Sequence, residues 1–304
     1  MKIPFLRPVV PPHVFCLLAD AVTYGSVRRD PLGFAEARSF AYPAGSLGAS
    51  ASGTPLFTRE ALSEAVAAAR RLAEDRLTRA SVVFPDAWAR ILPIDFDRIP
   101  DSEDGAREMV RWKLKKLLPG VTAELAVAFH EMPSGEGKRL LVAATPAETI
   151  ASIEQSFESL GVRVGRLSPA SLALFEGTAP LLSSRAGGDY ALLHRATGSL
   201  SFLIARGSAP LFFRQRPAEE EPEAHEQELR LSLTYYQDKL KGPGLAAMFV
   251  HDERAAGGAT PPLPGLPVAP VAFSGTLFGA DAEFDRNLAT RPELLAGFAA
   301  VWGG

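Results

Sequence analysis

Twice along these 304 residues, near the beginning and again past the middle, a strand–turn–strand pattern is followed by an amphipathic helix. A layout repeated in this way commits the chain to sheets that must each be covered by helices, which is an α/β architecture with two similar halves. In the first copy, residues 13–28 read as strand, turn, strand. A Gly/Ser/Ala-rich loop over 45–53 leads to a helix from about Arg59 to Asp75, with Thr58 as N-cap and Leu62, Val66, Ala69 and Leu72 at helical spacing. In the second copy, Tyr190–His194 and Ser199–Arg206 flank a turn at Thr197-Gly198, and Pro210–Gln215 is a third strand. The following helix presents Leu229, Leu233, Tyr236 and Leu240 on one face and Leu231 and Tyr235 on another, so cover on two sides is expected.

Between the copies lies a unit of different character. After a strand Ala80–Phe84, it runs strand Ala89–Ile94, helix Glu103–Leu118 stopped by Pro119-Gly120, and strands Leu125–Glu131 and Arg139–Ala144 around a turn at 133–137. Thr145-Pro146-Ala147-Glu148 reads as a capping box opening a helix with Ile150, Ile153, Phe157 and Leu160 inward and Gly161 ending it. A strand Val162–Leu167 and a short helix Pro169–Phe175 follow, and the small, polar stretch 177–188 is the expected boundary between halves. A second capping box, Thr290-Arg291-Pro292-Glu293, is expected to open the last helix, which runs to about Trp302.

Composition narrows the function classes. With 32 basic against 35 acidic residues, the chain lacks the basic footprint of wholesale nucleic-acid binding. The single cysteine, Cys16, excludes a disulfide framework and Cys-rich metal sites. The five histidines (13, 130, 194, 225 and 251) never fall at i,i+3 or i,i+4, so no metal site is expected. Prolines 8, 11 and 12 break the apolar N-terminal run, and no stretch of about 18 apolar residues occurs, so a cytoplasmic location is expected, with any membrane contact made through partners.

Several blocks carry a resemblance. Glu228–Gln237 (ELRLSLTYYQ) resembles the "RSLxYYQ" helix of the PilM family, actin-like cytoplasmic proteins of type IV pilus assembly. Met109–Pro119 (MVRWKLKKLLP) is similar to that family's tryptophan-bearing helix, and Leu140–Ala144 with the capped helix and Leu160-Gly161-Val162 matches a third block. Tyr190–Pro217, with Leu211-Phe-Phe-Arg214, matches a fourth. The blocks keep the family's order over about 80–300, and GspL-type secretion proteins share the architecture. The resemblance implies two actin-like (ribonuclease H-like) subdomains, 1–84 with 168–184 and 185–304, and an inserted SHS2-like module over 85–167. It also implies an adaptor that holds the cytoplasmic tail of a PilN-like inner-membrane protein.

Actin-like ATPases hold Mg-ATP with two Asp-x-Gly hairpins and a glycine-rich adenine loop, because carboxylates orient the hydrated magnesium and glycine lets backbone N–H groups approach the phosphates. Here the first hairpin offers Asp20 with Val22 in the glycine position, and Asp20 also suits a plain turn residue. His194-Arg195-Ala196 stands where the second should read Asp-Ile-Gly, and His251-Asp-Glu-Arg254 where the adenine loop belongs, with Gly257-Gly258 late. The expectation is a non-catalytic scaffold without a resident cofactor or metal. An ATPase or phosphotransferase with an atypical site is the alternative.

For partner binding, Ala106, Val110, Leu114 and Leu117 form the inward stripe of the Glu103–Leu118 helix, while Trp112 falls roughly 150° away beside Lys115 and Lys116. A tryptophan there either packs between the inserted unit and the first half or marks a docking surface, and both place it at their junction. Arg111, Lys113, Lys115 and Lys116 suit a solvated face near a helix C-terminus, or attraction to an acidic partner segment or to anionic lipid headgroups. The acidic run Glu219–Glu223 suits a helix start.

Overall fold

The computed structural model describes residues 10–29, 32–42, 47–49, 55–74, 76–118, 123–135, 137–217, 222–253, 265–271 and 282–302. The helix stop at 119–120, the glycines 257–258 and most of the acidic run lie outside them.

Three strands open the chain: β1 His13–Leu17, β2 Ala21–Arg29 and β3 Leu32–Ala41. A two-stranded hairpin, β4 Leu47–Ala49 and β5 Pro55–Phe57, leads to α1 Arg59–Leu72 and β6 Arg79–Phe84. The inserted unit is β7 Arg90–Phe96, α2 Glu103–Leu117, β8 Leu125–Met132 and β9 Lys138–Pro146. Next come α3 Ala147–Glu158, β10 Arg163–Pro169 and α4 Ala170–Ala186. The second half contains β11 Tyr190–Ala196, β12 Ser199–Arg206, β13 Ala209–Pro217, α5 Pro222–Asp238, β14 Ala247–Asp252 and β15 Val268–Pro270. The helices α6 Ala282–Thr290 and α7 Leu294–Trp302 follow.

The duplication is a duplication of topology. The first sheet has the order β10-β6-β1-β2-β3 and the second β13-β12-β11-β14-β15. In each, an antiparallel meander of three strands is extended from its first strand by two parallel ones. Alternation along β1 sends Phe15 to one face, edge-on to Phe157 of α3 at 4.9 Å, and Val14 and Cys16 to the other, against Gly297 of α7. The second sheet buries Ala191, Leu193, Phe202, Ile204 and Met248 under Leu229 and Tyr236 of α5. Its opposite face, with Tyr190, Leu192, Leu203 and Phe249, joins the core of the first half.

Several local expectations are corrected. The stretch 177–186 is helical: α4 runs past Phe175 to Ala186 and ends at Gly187, whose φ of 67° gives a left-handed cap. Its small residues serve close packing on α7, so their loop-like composition misleads. α3 packs on α1, and β10 pairs with β6 of the first sheet, so the separate third sheet, β7-β9-β8, is confined to residues 90–146. α7 returns from the second half to pack on β1, β6 and α4. Neither capping box forms. Thr145 lies inside β9, one residue before its end, and gives its hydroxyl to the Trp88 carbonyl, and Thr290 is the last residue of α6. Leu231 and Tyr235 are exposed, so α5 is covered on one side only. Tyr236, in the same motif, is buried with its hydroxyl donating to Asp189 at 2.5 Å.

Among the described residues no helix is long and apolar enough to cross a membrane.

Candidate functional site

Two places gather chemistry: the cleft where the two sheets and α7 meet, and a groove beside the third sheet.

The cleft is built by register. β11 and β14 pair in parallel with His194 opposite His251, so two histidines 57 residues apart become neighbours with side chains on one face. Their Nδ1 atoms are 3.1 Å apart, and His251 Nε2 lies 3.0 Å from the Pro292 carbonyl oxygen. A carbonyl only accepts, so His251 carries its proton on Nε2 and offers the Nδ1 lone pair to His194. Both rings are buried. Burial pushes the His194 imidazole down to about 4, with Asp252 acting the other way. Burial and the neighbouring His194 push His251 down to about 3. Glu253, just past β14, places Oε1 3.7 Å from His194 Nε2.

Around them stand buried carboxyls. Asp86, in the short 3-10 turn Asp86–Trp88 before β7, accepts from the Ser201 hydroxyl at 2.6 Å and the Ser171 N–H at 2.9 Å. Glu293 accepts from the Thr23 hydroxyl, and its backbone oxygen from the Cys16 thiol at 3.4 Å. Burial raises the pKa of Asp86 and of Glu293 above the ordinary carboxylate value. Burial, then Asp86, Glu293 and Asp252, pushes Glu253 well above it. Arg195 pairs with Asp252 at 3.1 Å.

Sequence reasoning placed Asp20 at this cleft. It lies exposed in the turn between β1 and β2, its backbone oxygen accepting the Tyr42 N–H at 2.8 Å, and its charge reaches Glu293. His194 is a strand residue, as expected, and its neighbours in the cleft are His251 and Glu253. Helical or loop spacing could not reveal them; the signal is that His194 and His251 sit at matching points of two strands that pair.

Trp112, Lys115 and Lys116 do not line a junction. Trp112 is 56% exposed on the outer face of α2, with Lys116 Nζ 3.6 Å above its ring. Ala106, Val110 and Leu114 are buried against the third sheet as expected, but Leu117 is exposed. The basic residues part company: Lys113 lies over Phe96, and Arg111 turns to the β8 edge.

The groove lies on the opposite face of the third sheet from α2. It measures ≈ 540 Å³ and is floored by Ala128 of β8, Leu141 and Ala143 of β9, and Leu172 and Phe175 of α4. His130, Arg166 and Glu176 bring polarity to it, the last two paired with each other. Among the described residues β8 pairs only with β9, which leaves it the edge strand of the third sheet. Arg107 and Arg111 of α2 reach round to the carbonyls of Val127 and Leu125, at 3.2 and 3.0 Å. Phe129 and Glu131 share the parity of those residues, so their N–H and C=O groups point along the same edge.

No family profile and no curated protein sequence matches the chain. Solved structures do. A chain of the PilM–PilN type IV pilus biogenesis complex is similar at 18% identity, with a TM-score of 0.74 over 97% of this chain and 98% of that one. The cytoplasmic domain of EpsL, an inner-membrane component of the type II secretion system of Vibrio cholerae, is similar at 11% identity (TM-score 0.49; 93% and 94%). A Bacteroides thetaiotaomicron protein of unknown function with an actin-like ATPase fold is similar at 9% (TM-score 0.48; 95% and 99%). The first likeness establishes the fold: this is the PilM-like, duplicated actin-like architecture that the sequence blocks implied.

Proposed function

We propose that the protein is a non-catalytic scaffold of a type IV pilus or type II secretion-like inner-membrane assembly. In this reading it holds the extended cytoplasmic tail of a PilN-like membrane protein and is peripheral to the membrane through that partner. The observation that carries the reading is the groove, an apolar trough bordered by an edge strand. An extended peptide adds main-chain hydrogen bonds to such an edge and seats alternate side chains in the trough. The similar chain from a PilM–PilN complex supports this choice of partner.

The cleft supports the non-catalytic part. A magnesium triphosphate needs backbone N–H cradles and cationic side chains. Here the described interior presents two neutral imidazoles and the carboxyls of Asp86, Glu253 and Glu293, with Arg195 engaged by Asp252. Isothermal titration with Mg-ATP is expected to give no binding at micromolar concentrations, and hydrolysis at the cleft would overturn the reading.

The groove is tested with a labelled peptide of the partner tail in fluorescence anisotropy. Ala128 is exposed in the trough, so Ala128→Arg fills it without touching the core. This variant is expected to weaken binding at least tenfold, about 1.4 kcal/mol. Trp112→Ala, on the other side of the sheet, is expected to bind as the wild type. The reverse pattern would move the site to α2.

A further inference from the structure

We propose that the C-terminal half of α2 makes a direct contact with the anionic surface of a lipid bilayer, with Trp112 entering the headgroup layer and Lys115 and Lys116 facing lipid phosphates. This goes beyond the proposed function, in which the partner alone joins the protein to the membrane. From that reading it takes only the nearness of a bilayer.

Trp112 is the most exposed large apolar side chain among the described residues, and Leu117, 47% exposed, stands at the end of the same helix. At about 100° per residue, Lys115 lies roughly 60° to one side of Trp112 and Lys116 roughly 40° to the other. An ammonium therefore flanks the indole on each side, and both lysines are exposed. In a chain of net charge −3, residues 111–116 hold four cations and no acid. The acids of α2, Glu103, Asp104 and Glu108, all come earlier. Glu108 is exposed one turn before Trp112 on the same face, about 6 Å along the axis, so the helix meets the surface by its C-terminal end.

The shape of the patch selects the occupant. The flanks of α2 are already engaged: Val110 and Leu114 on the third sheet, Arg111 on the Leu125 carbonyl, and Lys113 over Phe96. What remains is a ridge, far narrower than the roughly 800 Å² that a partner protein covers on each side. An indole is apolar in body and polar at its N–H, which suits the boundary between acyl chains and headgroups. Lysine ammoniums are hydrated point charges on flexible stems, matched to a surface of mobile phosphates rather than to one rigid carboxylate.

The size of the effect fits a supporting role. Each lysine near an anionic surface is worth about fivefold in partitioning, and burying the indole about tenfold. Such binding is reversible by itself. Joined to a tethered partner tail it acts as the second of two signals, which is what stable attachment requires.

The test mixes the full chain, without any partner tail, with vesicles of phosphatidylcholine alone or with phosphatidylglycerol in equal parts. The protein is expected to sediment with the anionic vesicles at low salt, to stay in solution with the neutral ones, and to be released by high salt. Tryptophan emission should shift to the blue on binding, and Trp112 is its source because Trp88 is buried and Trp302 half-buried. Trp112→Ala is expected to weaken vesicle binding about tenfold and Lys115→Gln with Lys116→Gln about 25-fold, whereas Glu108→Gln should strengthen it about fivefold. All are surface changes, checked for folding by circular dichroism. A folded wild type that stays in solution with anionic vesicles overturns the proposal, as do variants that all sediment like the wild type. Binding to polyglutamate but not to vesicles would assign the ridge to an acidic protein segment and overturn it too. With no partner tail present, failure here leaves the groove reading standing, and failure of the peptide test leaves this one standing.

Discussion

Asp86→Ala is expected to lower the free energy of unfolding by about 3 kcal/mol, read as a fall in the urea midpoint at constant slope. Asp86 is fully buried where three parts of the molecule meet. Its carboxyl takes the Ser201 hydroxyl of the second sheet and the Ser171 N–H at the start of α4. Its backbone oxygen takes the Gln215 side chain of β13 at 2.5 Å, and that side chain in turn accepts the Ile91 N–H of β7 at 3.2 Å. Alanine leaves a buried hydroxyl and a helix N-terminal N–H without their acceptor, each worth about 1–3 kcal/mol. Asn keeps one acceptor oxygen, so Asp86→Asn should lose about 1 kcal/mol. Because burial raises the Asp86 pKa, this residue favours the folded state below the ordinary carboxylate range, and that contribution is lost as pH rises through the folded pKa. The Ala variant should therefore differ most from the wild type in mild acid. An unchanged midpoint would mean that the node carries no load.

Gly177→Ala is expected to cost about 3 kcal/mol even though alanine is the better helix former by about 1 kcal/mol. A Cβ at 177 would stand 2.3 Å from the Ala299 carbonyl oxygen and 2.6 Å from its Cα and Cβ. The obstacle is the backbone of α7, which no rotamer change can clear, so α4 and α7 must part. Gly135→Ala, where an added Cβ meets nothing within 4 Å, is the control and should shift the melting temperature negligibly. If both variants melt alike, the close crossing is not what fixes the two helices.

The α/β class and the duplicated plan were legible because the first meander, α1, the central unit and the second meander keep their periods. β3 escapes the sequence pattern because it is an edge strand: Glu36, Arg38 and Ser39 are exposed, and over residues 33–41 only Gly33 and Phe34 are fully buried. α4 was cut short because Gly177, Pro180 and Ser183 read as punctuation, whereas the glycine is the point of closest approach between helices. Thr290 and Glu293 have the spacing of a capping box, yet they straddle two helices, and Glu293 turns inward to Thr23. Among candidate site residues, Trp112 was rightly placed off the buried stripe of α2. Which side of the sheet α2 covers is a tertiary fact that helical periodicity does not contain. His251 and Glu253 escaped for the same reason, since their meaning depends on which strand lies next to theirs.

The two arginines that cap the β8 carbonyls have a further effect. A bare strand border invites a second copy to zip on along its whole length, and then a third. With the Val127 and Leu125 oxygens already taken, only the stretch around Phe129 and Glu131 can accept a newcomer. A short guest strand therefore fits there in one alignment, while an endless ribbon of identical molecules has no place to start.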